Sequence, residues 1–348
     1  MKLHQFSAGF NPGDAISNQM IIIQDRLRQF GYNGSIFSEN INVEKKSVAK
    51  KFKSYSPNYN DIILYHHSIH SQILDFLLEV PRKIKKIFIY HNVTPSEFYL
   101  PYDLRLAELL KQGREELKGL RRSFDHFLAV SDFNRKELIS LGIDSVGILP
   151  LILSLNLEEK IHFEKESNPK KILFVGRIAP NKKQDDLIKI ASILNRFYSI
   201  PFKLQLVGNT SRESMLYRSE LNNLVKFLEL ESVVEFLEFQ NEENLRRCYR
   251  EASLFLCMSE HEGFCVPLME AMHYDLPILA YNGGAVKETL GGAGILFLEK
   301  KLDLIAESIN RVLTDSELSN TIVQSQRKRL QSFQEQDPIQ ILLQYLGK

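Results

Sequence analysis

Ser259-Glu260-His261-Glu262-Gly263-Phe264-Cys265-Val266-Pro267-Leu268-Met269-Glu270-Ala271-Met272 follows the apolar run 254–258, and its reading decides the rest. A short buried strand leads into a glycine turn, and Pro267 suits the first position of a helix. Amides at residues 263–266 then sit at a helix N-terminus, where anions are held. Glu262 stands just before that helix and Glu270 about one turn into it, so both reach one pocket as acceptors for hydroxyls. The plainer alternative is a helix-dipole partner for Glu262 and a solvated helix face for Glu270.

Upstream, Leu173-Phe174-Val175-Gly176-Arg177 repeats the strand and glycine turn, and Ile178-Ala179-Pro180-Asn181-Lys182-Lys183 leads into another helix. Asn181 with Gln184 three positions on reads as a variant capping box, which puts Lys182 and Lys183 in the first helical turn. Cations there oppose the helix dipole at about 0.3 to 1 kcal/mol each when exposed, a placement that makes sense if an anion binds. Arg177 supplies a fork of donors and Lys182 a point charge, a combination suited to a diphosphate.

Outward from these motifs, short apolar segments alternate with amphipathic ones, the pattern of parallel sheets covered by helices. Strands are expected at 2–7, 35–38, 61–66, 87–91, 126–130 and 146–149, and again at 171–175, 203–207, 233–237, 254–258, 277–280 and 294–297. Ile16, Met20, Ile23, Leu27 and Phe30 form one helical stripe before Gly31. The fold class is α/β, with two doubly wound domains: 1–153, a charged linker at 154–170, 171–333, and a C-terminal helix at 334–348 with the first domain as a place to return. Ligands of such sheets sit beyond the carboxyl ends of strands, and two domains facing each other would make a cleft.

The 348 residues exceed what one core usually serves, and 44 basic against 43 acidic side chains give no pull toward nucleic acid. Cys248, Cys257 and Cys265 fit neither a disulfide framework nor a structural zinc spacing, which points to a reducing cytoplasm. No run reaches the roughly 18 to 20 apolar residues that span a bilayer. Lys83, Lys85, Lys86, Arg114, Lys118, Arg121 and Arg122, with interleaved leucines, allow a peripheral contact with anionic lipid or simply a solvated helix face.

Other candidates are weaker. Ala8-Gly9-Phe10-Asn11-Pro12-Gly13-Asp14 joins the first strand to the first helix; Gly9 and Gly13 let backbone approach a ligand, and Asp14 caps the helix in the plainer reading. Asn282-Gly283-Gly284-Ala285 is a second glycine turn at a strand end. His66, His67 and His70 lack a carboxylate or cysteine to complete a metal set, so no metal is expected. His91 closes an apolar strand where a ligand should lie. Cys265 reads as a packing cysteine, since no base partner is visible for a nucleophile.

These residues resemble the family-4 retaining glycosyltransferases of the GT-B type, enzymes with two facing Rossmann-like domains. The likeness rests on Gly176-Arg177 with Lys182, on Glu262-Gly263-Phe264 with Glu270, and on Gly283-Gly284-Ala285-Val286-Lys287-Glu288, and spans most of 171–298. It implies that Arg177 and Lys182 bind a donor diphosphate, Glu262 contacts the donor sugar, Glu270 holds the ribose, and His91 lies beside the sugar. Gly9, Gly13, Gly176, Lys183, Gly263, Phe264, Cys265 and Val266 complete the implied donor site. Asn92-Val93-Thr94-Pro95 and Pro101-Tyr102-Asp103 look like bacterial mannosyltransferases building surface polysaccharide or lipopolysaccharide. The implied donor is a nucleoside diphosphate sugar, GDP-mannose first and a UDP-hexose second, and the implied acceptor a glycan or lipid-linked saccharide. A sugar-nucleotide epimerase or hydrolase, and a non-catalytic carbohydrate-binding protein, are the rival readings. Cys265 departs from the family's usual glycine, and Asp14 from a second glycine.

Overall fold

A computed structural model describes residues 2–11, 13–42, 47–153, 168–238 and 241–347. Within them the chain divides into two compact units, Met1–Glu97 with Leu104–Leu153 and Asp337–Lys348, and Phe98–Asp103 with Ser154–Gln336. Most of the expected linker, residues 154–167, lies outside the described residues.

The first unit carries strands β1 (Lys2–Phe10), β2 (Ile36–Ile41), β3 (Ala49–Lys51), β4 (Asp61–His67), β5 (Lys85–Tyr90), β6 (His126–Ala129) and β7 (Val146–Ile148). Among the described residues they form one sheet in the order β3-β2-β1-β4-β5-β6-β7, with every pairing parallel. β4 is buried along its whole length, as a central strand covered on both faces must be. β3 escapes the sequence reading because it is a three-residue edge strand, Ala-Lys-Lys, with both lysines exposed.

The second unit repeats the plan with β8 (Lys170–Val175), β9 (Phe202–Val207), β10 (Val234–Leu237), β11 (Leu254–Cys257), β12 (Ile278–Tyr281) and β13 (Ile295–Phe297), ordered β10-β9-β8-β11-β12-β13. Phe174, Leu204, Leu206 and Leu256 from its strands pack against Leu187, Ile190 and Leu194 of the helix Gln184–Phe197. In both sheets the order reverses beside the first strand, between β1 and β4 and between β8 and β11. Such a switch point leaves a crevice at the strands' carboxyl ends, because the flanking loops depart to opposite faces.

Two boundaries differ from expectation. The 8–10 segment, read as loop, continues β1 and pairs Gly9 with Asn40, because a neighbouring strand is there to receive it. Phe98–Asp103 groups with the second unit, where the Tyr102 hydroxyl donates to Glu220 at 2.9 Å and its ring meets Tyr217. The helix Pro338–Leu346 belongs to the first unit, its Tyr345 ring set edge-on to His126. The helix Ala15–Arg28 buries Met20, Ile23 and Leu27 as the stripe requires, with Asp14 accepting from the Ser17 amide at 3.0 Å.

Candidate active site

The switch point of the second sheet gathers both motifs. After β8 the chain passes Gly176 and Arg177 and makes a short 3-10 turn, Pro180–Lys182, before the helix Gln184–Phe197 begins. The capping box is not formed: Lys183, with φ 54°, is the residue preceding the helix and no side chain caps it. Asn181 is instead spent on a tertiary task. Its carbonyl accepts from the Glu260 amide at 2.9 Å, and its side-chain amide donates to the His261 carbonyl at 3.1 Å. Gln184 donates back to the Arg177 carbonyl at 3.0 Å. Lys182 and Lys183 therefore precede the helix and do not occupy its first turn.

These backbone ties set up an ion pair between residues eighty positions apart. Lys182 Nζ lies 2.6 Å from Glu262 Oε2, with the side chains 18% and 9% exposed. Burial opposes the charge on Lys182, but Glu262 and the neighbouring Cys265 sulfur outweigh it and hold the ammonium above its ordinary pKa, against the repulsion of Arg177. Arg177 is exposed, and its guanidinium meets no partner among the described residues. Lys183 turns away to Asp185 at 3.0 Å.

Glu262 is held from its other side by the second glycine turn. The Ala285 amide donates to its carbonyl at 2.9 Å, and Gly284, at φ +61°, runs so close that an added Cβ would lie 2.4 Å from the Glu262 oxygen. Only glycine fits both that conformation and that distance. Beyond Glu262, Phe264 is buried against Phe333 with its carbonyl accepting from Thr289, and Cys265 adopts the left-handed conformation, φ 72°, that starts the helix Val266–His273. The amides of Cys265 and Val266 meet no acceptor among the described residues, so they remain available to an anion.

Glu270 faces inward. The Tyr249 hydroxyl donates to its Oε2 at 2.6 Å, and burial raises its pKa above the ordinary glutamate value despite that bond. Tyr249 comes from the helix Glu242–Glu251 and carries no signal in its sequence neighbourhood. Lys300 was also unforeseen; it joins Asp186 at 2.6 Å to Glu260 at 2.7 Å and lies over the Tyr281 ring.

In the first unit Gly9 and Gly13 flank the carboxyl end of β1, Gly13 with φ +69°, and His91 follows β5. A chain of hydrogen bonds fixes the histidine protons. Gln5 donates from Nε2 to the Met20 carbonyl at 2.7 Å, so its Oε1 must accept from His66 Nε2 at 3.0 Å. His66 Nδ1 is then a bare acceptor, and His91 Nε2 donates to it at 2.8 Å. Burial, reinforced by His67, lowers the His91 pKa to about 3, and burial with His91 depresses His66 strongly, so both rings are neutral. His67 donates to the Gly113 carbonyl and His70 pairs with Glu116, so the histidines share no common ligand position. Of the basic cluster, Lys86 is buried and donates to the Leu77 and Val80 carbonyls, Arg114 pairs with Glu137, and Arg121 with Asp144. No helix among the described residues is long and apolar enough to cross a membrane.

Among the described residues one group of side chains has the makings of a metal site: Cys257, Glu262 and Cys265, whose ligand atoms lie within 4.8 Å of one another. Sequence spacing hid it, because β11 and the left-handed start of the following helix, not a short motif, bring the sulfurs together.

Residues 157–329 match the family model of the glycosyl transferases group 1. An uncharacterised glycosyltransferase of Methanocaldococcus jannaschii is 31% identical over 195 residues, covering 52% of this chain and 47% of the relative. The O-antigen chain mannosyltransferase B of Escherichia coli is 26% identical over 264 residues, 66% of each chain. The chain thus spans about half to two-thirds of these relatives. Anabaena HepE, solved with UDP and glucose, superposes with a TM-score of 0.76 over 99% of this chain and 98% of its own, at 17% identity, a likeness of fold.

Proposed function

We propose, on the match of residues 157–329 to the family model of the glycosyl transferases group 1, that the protein moves a hexose from a nucleoside diphosphate sugar to an acceptor hydroxyl, with retention at the anomeric carbon, in the synthesis of surface polysaccharide. One observation carries the reading. The loops that follow β8 and β11, neighbours at the switch point of the second sheet, carry a guanidinium and two amides without partners among the described residues, a half-buried ammonium paired with Glu262, and the Glu270 carboxylate bonded to Tyr249.

Each group then has a role. Arg177, Lys182 and the Cys265 and Val266 amides neutralise the charge that builds on the diphosphate as the sugar leaves. Glu262, already held by Lys182 and the Ala285 amide, accepts from sugar hydroxyls. Glu270 accepts from the ribose. His91, neutral and fixed by His66, offers an uncharged ring to the sugar. A donor phosphate oxygen takes the acceptor proton, so no protein base is required.

Mannose carried by GDP is the first choice of donor, supported by the name of the E. coli relative, and a UDP-hexose the second, supported by the ligands of HepE. Glycan or lipid-linked saccharides are the acceptors, and three free thiols suit the reducing cytoplasm. A thermal-shift panel of nucleoside diphosphates tests the reading, since a ligand at 100 times its Kd adds about 2.7 kcal/mol to stability. Stabilisation by one base followed by transfer from the matching sugar nucleotide is expected. A melting temperature that no nucleoside diphosphate moves would end it.

A further inference from the structure

Beneath the Glu262 loop, two thiols approach the same carboxylate. Cys257 ends β11, and Cys265 precedes the helix Val266–His273 with φ 72° and ψ 65°. One ligand atom each from Cys257, Glu262 and Cys265 falls within 4.8 Å of the others, all three residues being buried. We propose that this cluster binds a soft divalent cation, zinc being the reference, and that binding occupies the Glu262 carboxylate and so inhibits the site.

The donor set is the first argument. Two sulfurs and one oxygen favour zinc and its congeners over magnesium or calcium, which prefer oxygen throughout. Zinc bonds of roughly 2.3 Å to sulfur and 2.0 to 2.2 Å to carboxylate oxygen place tetrahedral ligands roughly 3.5 to 3.8 Å apart, a spacing inside the 4.8 Å limit within which these atoms lie. The second argument is the backbone. A cysteine at φ 72° occupies a conformation that glycine takes without penalty, and such strain is kept where a side chain must point somewhere specific.

On binding, two sulfur–metal bonds and one oxygen–metal bond form. Two thiol protons pass to solvent. Glu262 ligates through one oxygen, and Lys182 keeps its proton. The inhibitory half of the proposal rests on the transfer reading given above; the binding half does not.

Cobalt(II) titration of the reduced full chain tests the binding half. One equivalent should produce thiolate-to-cobalt charge transfer together with the visible bands of a tetrahedral ion, release two protons, and be displaced by zinc. Outer-shell losses alone cost roughly 10- to 100-fold in metal affinity, so Cys257→Ser and Cys265→Gly should each lower affinity by more than about tenfold and diminish the thiolate band. Glycine suits φ 72°, and an unchanged thermal melt of Cys265→Gly shows that lost binding is not lost folding. Glu262→Gln should weaken binding and keep the thiolate band. Cobalt taken up without that band, as by surface histidines, or binding indifferent to Cys265→Gly, overturns the site. Zinc should then inhibit transfer reversibly, with activity restored by a chelator; a metal-loaded enzyme that turns over normally overturns the inhibitory half. A chain inactive with every donor sinks the transfer reading and leaves the cobalt titration to decide the site by itself.

Discussion

Replacing Lys182 by methionine and Arg177 by alanine should cost the protein very different amounts of stability, although both are cations assigned to one diphosphate. Lys182 is committed: its ammonium lies 2.6 Å from a Glu262 carboxylate whose side chain is only 9% exposed. Removing one partner of a buried pair typically costs about 3 to 5 kcal/mol, because the other charge is left without compensation. Lys182 itself is 18% exposed and Arg177 is close enough to act on it electrostatically, so water and the guanidinium can partly serve the stranded carboxylate. The lower end, about 3 kcal/mol, is therefore expected. Arg177, exposed and unpartnered, should cost less than about 0.5 kcal/mol in stability. In turnover, each loss should remove about 2.7 to 4 kcal/mol of transition-state stabilisation, roughly a hundred- to thousandfold. Urea denaturation and donor turnover of the two variants separate the effects, and Lys182→Met combined with Glu262→Gln should regain most of the lost stability without regaining turnover. If Lys182→Met unfolds at the parent's urea midpoint, the ion pair is not held as described. If Arg177→Ala turns over within about threefold of the parent, its role at the diphosphate is wrong.

Gly284→Ala should destabilise by about 2 to 5 kcal/mol, the sum of a left-handed backbone penalty and a collision with the Glu262 carbonyl, and a urea midpoint within error of the parent would contradict that packing. Glu270→Gln should weaken binding of the free nucleoside diphosphate. Because burial raises the Glu270 pKa, affinity of the parent should be full at neutral pH and fall as pH drops through that raised value, earlier than for an ordinary glutamate; calorimetry showing no such pH dependence removes Glu270 from the ribose. His66 and His91 are held neutral, their folded pKa values lying below the ordinary 6.5, so the unfolded chain binds protons the folded one refuses. Their stability contribution is complete above about pH 6.5 and is lost as pH falls, the His91 share by about pH 3. His91→Gln, which can still donate to His66, should flatten that acid limb in urea melts across the range, and an unchanged slope would show that the pair does not titrate as described.

Much of the architecture was legible in local pattern. Continuous apolar runs such as 62–65 and 254–258 announce strands buried on both faces, and the stripe of Met20, Ile23 and Leu27 announces a helix, because period and burial follow from backbone geometry alone. β3 was missed because an edge strand needs only one partner and can carry two lysines. The capping box at Asn181 was misread for a related reason. Asparagine caps helices and bridges loops with the same donor and acceptor atoms, and which task it performs depends on whether a second loop is near. Here the Glu260–His261 backbone is, so the helix goes without that cap.

The candidate site divides along the same line. Strand, glycine turn and helix start recur after residues 175 and 258, and this repetition already places cations and carboxylates at strand ends, since each motif is contiguous and its geometry local. Partnership is another matter. That Lys182 is taken by Glu262 while Arg177 stays open, that Tyr249 meets Glu270, and that Cys257 and Cys265 converge on one carboxylate all depend on which strands become neighbours at the reversal of sheet order. No local rule contains that information, because the adjacency of β8 and β11 is settled by packing the whole sheet, and only then do side chains eighty residues apart come within bonding distance.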